Sequence, residues 1–434
     1  MEKAKTVLLT VLVCTSLLQS YLLAYSTPHF ESIKETQYIE TKTFGTQEKI
    51  DNLIFPQRII LHFGGDKHTV LYPGMTFFEM IYNTLRKERT FEGLRLNNVL
   101  DYDWETIRKN DKGVEIRFDS GIPLNVLRGV LQIKGDALYD DDSIDNIWLD
   151  MTKNQEVHIF LFSQNTSSVY EAVNANISAK DIATFVGFGT HWAETGHSYH
   201  TLDGNVYLPD QDLQINRIRF TYTLITPEQM ENSLFADPAI TRNIREKDGT
   251  EIYTDGKRGM QIHLQQHWLV FSDSIAPLDS SHNAFDDLSS AVLFINQHGG
   301  WNGKYNLSSI RNNKDGAKEI VFYQYARSFP EYYPIVKTKD ETYGFIRTVV
   351  QKGSVSDYER SLINLDQSTI LTQVDTLIGG KKLDEMVKTF PYYGQLKSVF
   401  PAYRPELGDD DVSLVPAWAV EWNDGTLGWL QSVN

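Results

Sequence analysis

The residue types that could do chemistry in this chain are histidines and carboxylates. His191, His197 and His200 cluster in GTHWAETGHSYH with Glu194 between them, and neutral imidazoles of this kind can ligate zinc. Their spacing matches no standard zinc pattern, so they read as structural or solvent-facing histidines. His263 and His267 stand four apart in a segment whose apolar residues alternate. On a single strand they would lie ~13 Å apart and could not share one ion. Asp140, Asp141, Asp142 and Asp145 could attract calcium, but the glycine of an EF-hand loop is missing, which leaves a solvated loop. Asp286-Asp287 and the run Asp409 to Asp411 raise the question of glycoside hydrolysis, which needs two carboxyl groups ~5–9.5 Å apart. Sequence supplies no such distance, and with 57 acidic against 41 basic side chains acidic runs belong mainly to the surface.

Other chemistry is excluded more firmly. The single cysteine, Cys14, cannot form an internal disulfide or a thiolate metal site, and it lies in an apolar run unsuited to a nucleophile. No G-x-S-x-G elbow, S-x-x-K pair or H-E-x-x-H helix occurs. The string Gly299-Gly300-Trp301-Asn302-Gly303-Lys304-Tyr305 has the wrong spacing for a phosphate loop, and Gly187-Phe188-Gly189 lacks the third glycine of a dinucleotide fingerprint. No catalytic residue, metal or cofactor is expected. A net charge of −16 argues against nucleic acid, other polyanions and anionic lipid as partners. The expected role is binding or regulation, without enzymatic activity. An extracellular ligand-binding protein and a membrane-tethered cell-wall hydrolase are the alternatives.

The elements that must carry such a role begin with Thr6 to Tyr25, twenty uncharged residues of which ten are Leu or Val. As a helix this run covers the ~30 Å hydrocarbon layer. Lys3 and Lys5 before it place the N-terminus in the cytoplasm and the rest outside the cell. A cleaved signal peptide, with Ala24-Tyr25-Ser26 as its site, is disfavoured because the run exceeds the ~7–15 residues of an h-region. Thr6, Thr10 and Cys14 recur every four residues, and Leu17 and Tyr21 extend the stripe. Such a face permits close helix approach in lipid, although small polar residues are also tolerated in a lone anchor.

At 434 residues with 12% aromatics, two or three domains are expected outside the membrane. The fold class is α+β, with antiparallel sheets and packed helices. The expected division is 1–26 for the cytoplasmic tip and membrane helix, 27–165, 166–280 and 281–434. Strand-like runs occur at Arg58 to Phe63, Val114 to Phe118, Val157 to Phe162 and Arg217 to Leu224, and helix-like ones at Thr76 to Arg89 and after Thr226-Pro227. Asp248-Gly249 and Asp255-Gly256 favour hairpin turns around Glu251 to Tyr253. Met260, Ile262, Leu264, Trp268 and Val270 read as one strand face. Gln164 to Asn176 reads as a junction or surface loop. A helix from Ala284 to Gln297 should stop at Gly299-Gly300. Strands at Lys304 to Ile310, Glu319 to Tyr325 and Tyr343 to Val350 follow it. The same order recurs as a helix at Lys382 to Phe390 followed by Leu396 to Tyr403, Ser413 to Trp422 and Leu427 to Gln431.

Several of these segments carry a resemblance. The apolar N-terminal run, YTLITPEQMENSLFADPAITRNIREKDGTEIYTDGKRGMQI (Tyr222 to Ile262) and VFYQYARSFPEYYPI (Val321 to Ile335) resemble the YycH family. Val415-Pro416-Ala417-Trp418 is similar to the closing motif shared with the partner family YycI and with PepSY-like modules. The resemblance implies a non-enzymatic accessory protein of the WalK/WalR (YycG/YycF) two-component system. It implies YycI and the sensor kinase WalK as partners, met through transmembrane helix contacts, and a later part that is YycI-like. The direction of its effect on the kinase does not follow.

Overall fold

The strand Lys112–Pro123 organises the first part of the chain. Val114, Ile116 and Phe118 alternate with Glu115 and Arg117, the period-two pattern of a strand. It pairs antiparallel with Arg58–Gly64 on one side and Ser143–Met151 on the other. The structure is a computed structural model. It describes residues 44–430 except 98–102, 136–139, 164–167, 195, 203–205, 275–282, 314–315 and 338–341, together with scattered helical residues between 3 and 19.

Nine strands form the first sheet, in the order Val206–Pro209, Tyr199–Leu202, Lys67–Leu71, Arg58–Gly64, Lys112–Pro123, Ser143–Met151, Val157–Ser163, Val169–Ala172 and Leu94–Asn97. The helix Ala179–Glu194 buries Ile182, Phe185, Val186 and Gly189, the i, i+3, i+4, i+7 stripe of a helix seated on a sheet. Gly189 permits the approach, since a Cβ there would stand 2.4 Å from Leu61 Cδ1. The second sheet is built on Leu213–Leu224, flanked by Ile363–Leu365 and Leu371–Leu377 on one side and by Asp411–Trp422 with Leu396–Leu407 on the other. The third has eight strands in its main path, from Arg242–Arg245 to Lys304–Asn312. Its helix Ala284–Gln297 is capped by Asn283 and ends through Gly300 N–H donating to Ile295 O at 2.8 Å.

The class is therefore α+β with antiparallel sheets, beside which Thr90–Phe91 and Gln132–Ile133 form a separate short parallel pair. The helix after Thr226-Pro227, which a capping box opens, and both Asp-Gly turns fall where the sequence places them. Other expectations change. Met260 to Val270 is a hairpin of Arg258–His263 and Trp268–Asp273, turned through a 3-10 segment with His267 at φ +49°. Gln164 to Asn176 contributes the strand Val169–Ala172, and Asp145 sits within a strand rather than a loop. The first sheet runs past residue 165 to Pro209, and Trp268–Asp273 pairs with Ser354–Ser361 across residue 280. Both later helices precede antiparallel strands, but Gly380–Thr389 packs on Val206–Pro209 of the first sheet.

No helix among the described residues is long and apolar enough to cross a membrane. Residues 1–42 and 43–434 form separate units. Of the proposed helix face, Leu17 is helical and exposed, whereas Thr6, Thr10, Cys14 and Tyr21 lie outside the described residues.

Sheets are tied by side chains that bond backbone. Buried Asn306, in the third sheet, accepts from Phe55 N at 3.0 Å and donates to Phe55 O at 2.8 Å. Asn306→Ala leaves two buried backbone groups unpaired and should lower unfolding free energy by ~2–4 kcal/mol in urea titrations. An unchanged midpoint would show the tie to be dispensable.

Candidate functional site at the Asp119 bulge

Between Arg117 and Ile122 the strand Lys112–Pro123 advances five residues while its partner advances two, from Asn146 to Ile144. Gly121, at φ +74°, supplies the left-handed conformation such a bulge needs. The bulge carries Asp119 and Ser120 away from the ladder to where all three sheets meet. Asp119 pairs with Arg58, its N–H donates to Gln57 Oε1 at 3.0 Å, and its carbonyl accepts from Lys397 of the second sheet. Ser120 borders a cleft shared with Asn306, Tyr323 and Tyr325 of the third sheet and Phe400 and Leu427 of the second.

Beside Asp119 opens a cleft of about 200 Å³ lined by Arg58, Arg108, Arg117, Asp119, Asp145, Asn146, Phe162, Lys397 and Ser398. Lys397 Nζ reaches Asp145 at 3.3 Å and Glu421 at 3.6 Å. Behind the wall lies fully buried Glu115. One of its oxygens accepts from Arg117 Nε and Nη2 at 3.0 and 2.9 Å and from Asn146, with Arg108 at 3.7 Å. The other meets His62 Nε2 at 3.2 Å and accepts from Tyr207 OH at 3.0 Å. His62 stacks on Trp148, and Arg108 lies over the same indole. Burial alone would raise the Glu115 carboxyl, but Arg117 and Arg108 outweigh it and hold it well below the carboxylate range. Burial lowers His62, which stays neutral. Glu421 goes the other way: burial, aided by the Asp119 charge, pushes it up to about 8.

The sequence candidates do not converge. His191 stays on the helix Ala179–Glu194, which ends at Glu194, and His197 stacks on Trp192 with ring centroids 3.7 Å apart. His200 is held between Asp210 at 2.7 Å and Asp384 at 3.0 Å. His263 contacts Thr250, and His267 contacts Tyr222. Among the described residues no group of three His, Cys, Asp or Glu side chains is arranged to hold a metal. The acidic loop is largely neutralised, with Asp140 on Arg128, Asp142 accepting from Tyr170 and Asp145 on Lys397. Asp411 pairs with Arg219, Asp286 accepts from the Asn283 cap, and Asp287 is buried.

These features define a sheet-rich α+β protein with a buried ionic network in its first sheet and Lys397 of the second sheet reaching across to Asp119 and Asp145. The chain belongs to the YycH family. Residues 2–185 match the YycH protein N-terminal domain and residues 203–429 its C-terminal domain. It is 20% identical to the two-component system WalR/WalK regulatory protein YycH of Bacillus subtilis (strain 168), over 97% of this chain and 95% of that protein. The crystal structure of YycH from Bacillus subtilis superimposes with a TM-score of 0.70 at 16% identity, covering 90% of this chain and 99% of that one.

Glu421 faces Lys397, Ser398, Asp119 and Arg58, and the folded protein holds its proton more tightly than an unfolded chain, whose Glu titrates near 4.5. The stability this contributes is fully present below the unfolded value and falls as pH rises through about 8. Glu421→Gln removes the titration, so its thermal midpoint should decline less than that of the parent protein between about pH 6 and about pH 9. Parallel pH profiles would contradict the assignment.

Proposed function

We propose that this chain is a membrane-anchored accessory regulator of a WalK-type sensor histidine kinase, acting with YycI to adjust cell-wall signalling. The observation that carries the reading is the match along nearly the whole chain to a WalR/WalK regulatory protein, with both YycH domains present in order. The cleft, with its carboxylates occupied by Arg58, Lys397 and the Glu115 network, favours regulation over hydrolysis. The reading of the later part, residues 281–434, as YycI-like rests on the motif Val415-Pro416-Ala417-Trp418 and on the helix-then-strands order of the sequence.

The twenty-residue apolar run acts as the anchor, with the folded part outside the cell and the N-terminus in the cytoplasm. Its stripe of Thr6, Thr10, Cys14, Leu17 and Tyr21 forms the face that meets the partner helices. A regulator shifts a two-state kinase only through differential affinity for the two states, and ~1.4 kcal/mol gives a tenfold shift. A few small-residue contacts with one interhelical hydrogen bond, at ~0.6–2 kcal/mol, are of that size.

Replacing residues 6–25 with an unrelated membrane helix, in the full chain with YycI present, should bring kinase output to the level seen without the protein. Unchanged regulation would defeat the helix-contact mechanism, and hydrolysis of wall polymer by the purified chain would favour the enzymatic alternative.

A further inference from the structure

We propose that the cleft beside Asp119 binds a small phosphate-class oxyanion, held between the first and second sheets by Arg58, Arg108, Arg117 and Lys397. The ligand is inorganic phosphate or the terminal phosphate of a small monoester. Size is the first argument. The cleft's volume of about 200 Å³ falls below the ~300–1,000 Å³ of pockets for drug-sized organic ligands. It equals roughly the share of six or seven waters, which suits an ion and a fragment of its first shell.

Charge is the second argument. The four cationic side chains are deeply set, with 6%, 13%, 11% and 21% of the side chain exposed for Arg58, Arg108, Arg117 and Lys397. Asp119, Asp145 and Glu115 oppose them as carboxylates. Glu421, raised to about 8 by burial, keeps its proton at neutral pH, so the four cations meet three negative charges. The excess positive charge lies inside a chain whose overall charge is −16. Screening over ~8 Å at physiological salt lets the local field act on a small ion inside the cleft, whereas a polyanion would have to lie along an acidic surface.

Unmet hydrogen-bonding atoms point the same way. Arg58 Nε and Asn146 Oδ1 are buried without a hydrogen-bond partner among the described residues, and so is Glu421 Oε1. Asn146 donates its amide to Glu115, which fixes its Oδ1 as an acceptor. The site thus combines many cationic donors with one neutral acceptor, Asn146 Oδ1. Hydrogen phosphate, which both accepts and donates, can satisfy such a set, whereas sulfate and chloride carry no hydroxyl to donate. An ion seated there would bridge Arg58 and Arg117 of the first sheet and Arg108 of the helix Trp104–Asn110 to Lys397 and Ser398 of the second sheet, stiffening the junction at the Asp119 bulge.

The test is titration of the purified full-length chain with inorganic phosphate at neutral pH and constant ionic strength, read by calorimetry and by 31P line broadening. Saturable binding with Kd of ~1 mM or tighter is expected, with sulfate at least ~tenfold weaker. Arg108→Gln and Asn146→Asp should each weaken phosphate binding at least ~tenfold, with thermal unfolding confirming that the variants fold. Glycerol phosphate separates the two sources: binding comparable to the free ion assigns a monoester, and markedly weaker binding assigns inorganic phosphate. Absence of saturable phosphate binding to the unsubstituted chain up to ~10 mM, equal affinity for sulfate, or unchanged affinity in folded Arg108→Gln would overturn the proposal.

Discussion

Three sheets must be held against one another, and the constraint that fixes how they meet lies between Arg117 and Ile122. There the strand Lys112–Pro123 carries three residues more than its partner, so Asp119 leaves the ladder and engages Arg58 by its side chain and Lys397 by its carbonyl. Burying charges of this kind costs several kcal/mol per ion before pairing, and removing one partner strands the others. Such a cluster adds little net stability, but it tolerates few alternative placements of the groups that complete it. Lys397 belongs to the second sheet, and the cleft at Ser120 is closed by side chains of the third. The orientation of the sheets therefore depends on one local departure from regular pairing.

Apolar packing does the rest. A nearly continuous buried core runs from Leu53 to Leu430 through all three sheets, and hydrogen bonds cross between the second and third. Val336 N donates to Tyr403 O at 3.1 Å and Asn216 binds Ser328 through N–H and side chain at 2.9 Å each, while Tyr403 OH donates to Asn216 O at 2.7 Å within the second sheet. Such contacts join residues far apart in sequence, and the second sheet itself is built from Leu213–Leu224 and from strands beginning at residue 363, on either side of the third in the chain. His200, between Asp210 and Asp384, ties the first sheet to the helix Gly380–Thr389 in the same way.

What was legible in the sequence was local. The helix start at Thr226-Pro227, the glycine stop after Gln297, the Asp-Gly hairpins and the strand at Val114 to Phe118 each depend on a few neighbouring residues, and each formed. The helix Ala179–Glu194 was missed because Gly187, Gly189 and β-branched residues weaken its helical signal, and Gly189 is there for close packing on Leu61. The ionic cleft was missed for another reason. In VEIRF, Glu115 and Arg117 occupy the alternating face that normally points to water, yet both are covered, and no neighbour in sequence announces it. Their partners Arg58, Asn146, Tyr207 and Lys397 lie far along the chain. The run SGIP after Asp119 was the one available signal of a bulge, since glycine and proline within a strand mark such irregularities.

The bulge that carries Asp119 sets how the three sheets meet. Hydrogen–deuterium exchange on the intact chain, compared with Asp119→Asn, tests it most directly. The account predicts faster exchange in strands of all three sheets, including Lys112–Pro123, Leu396–Leu407 and Lys318–Arg327. Loss of protection confined to the bulge at 117–122, with the second and third sheets unchanged, would contradict it.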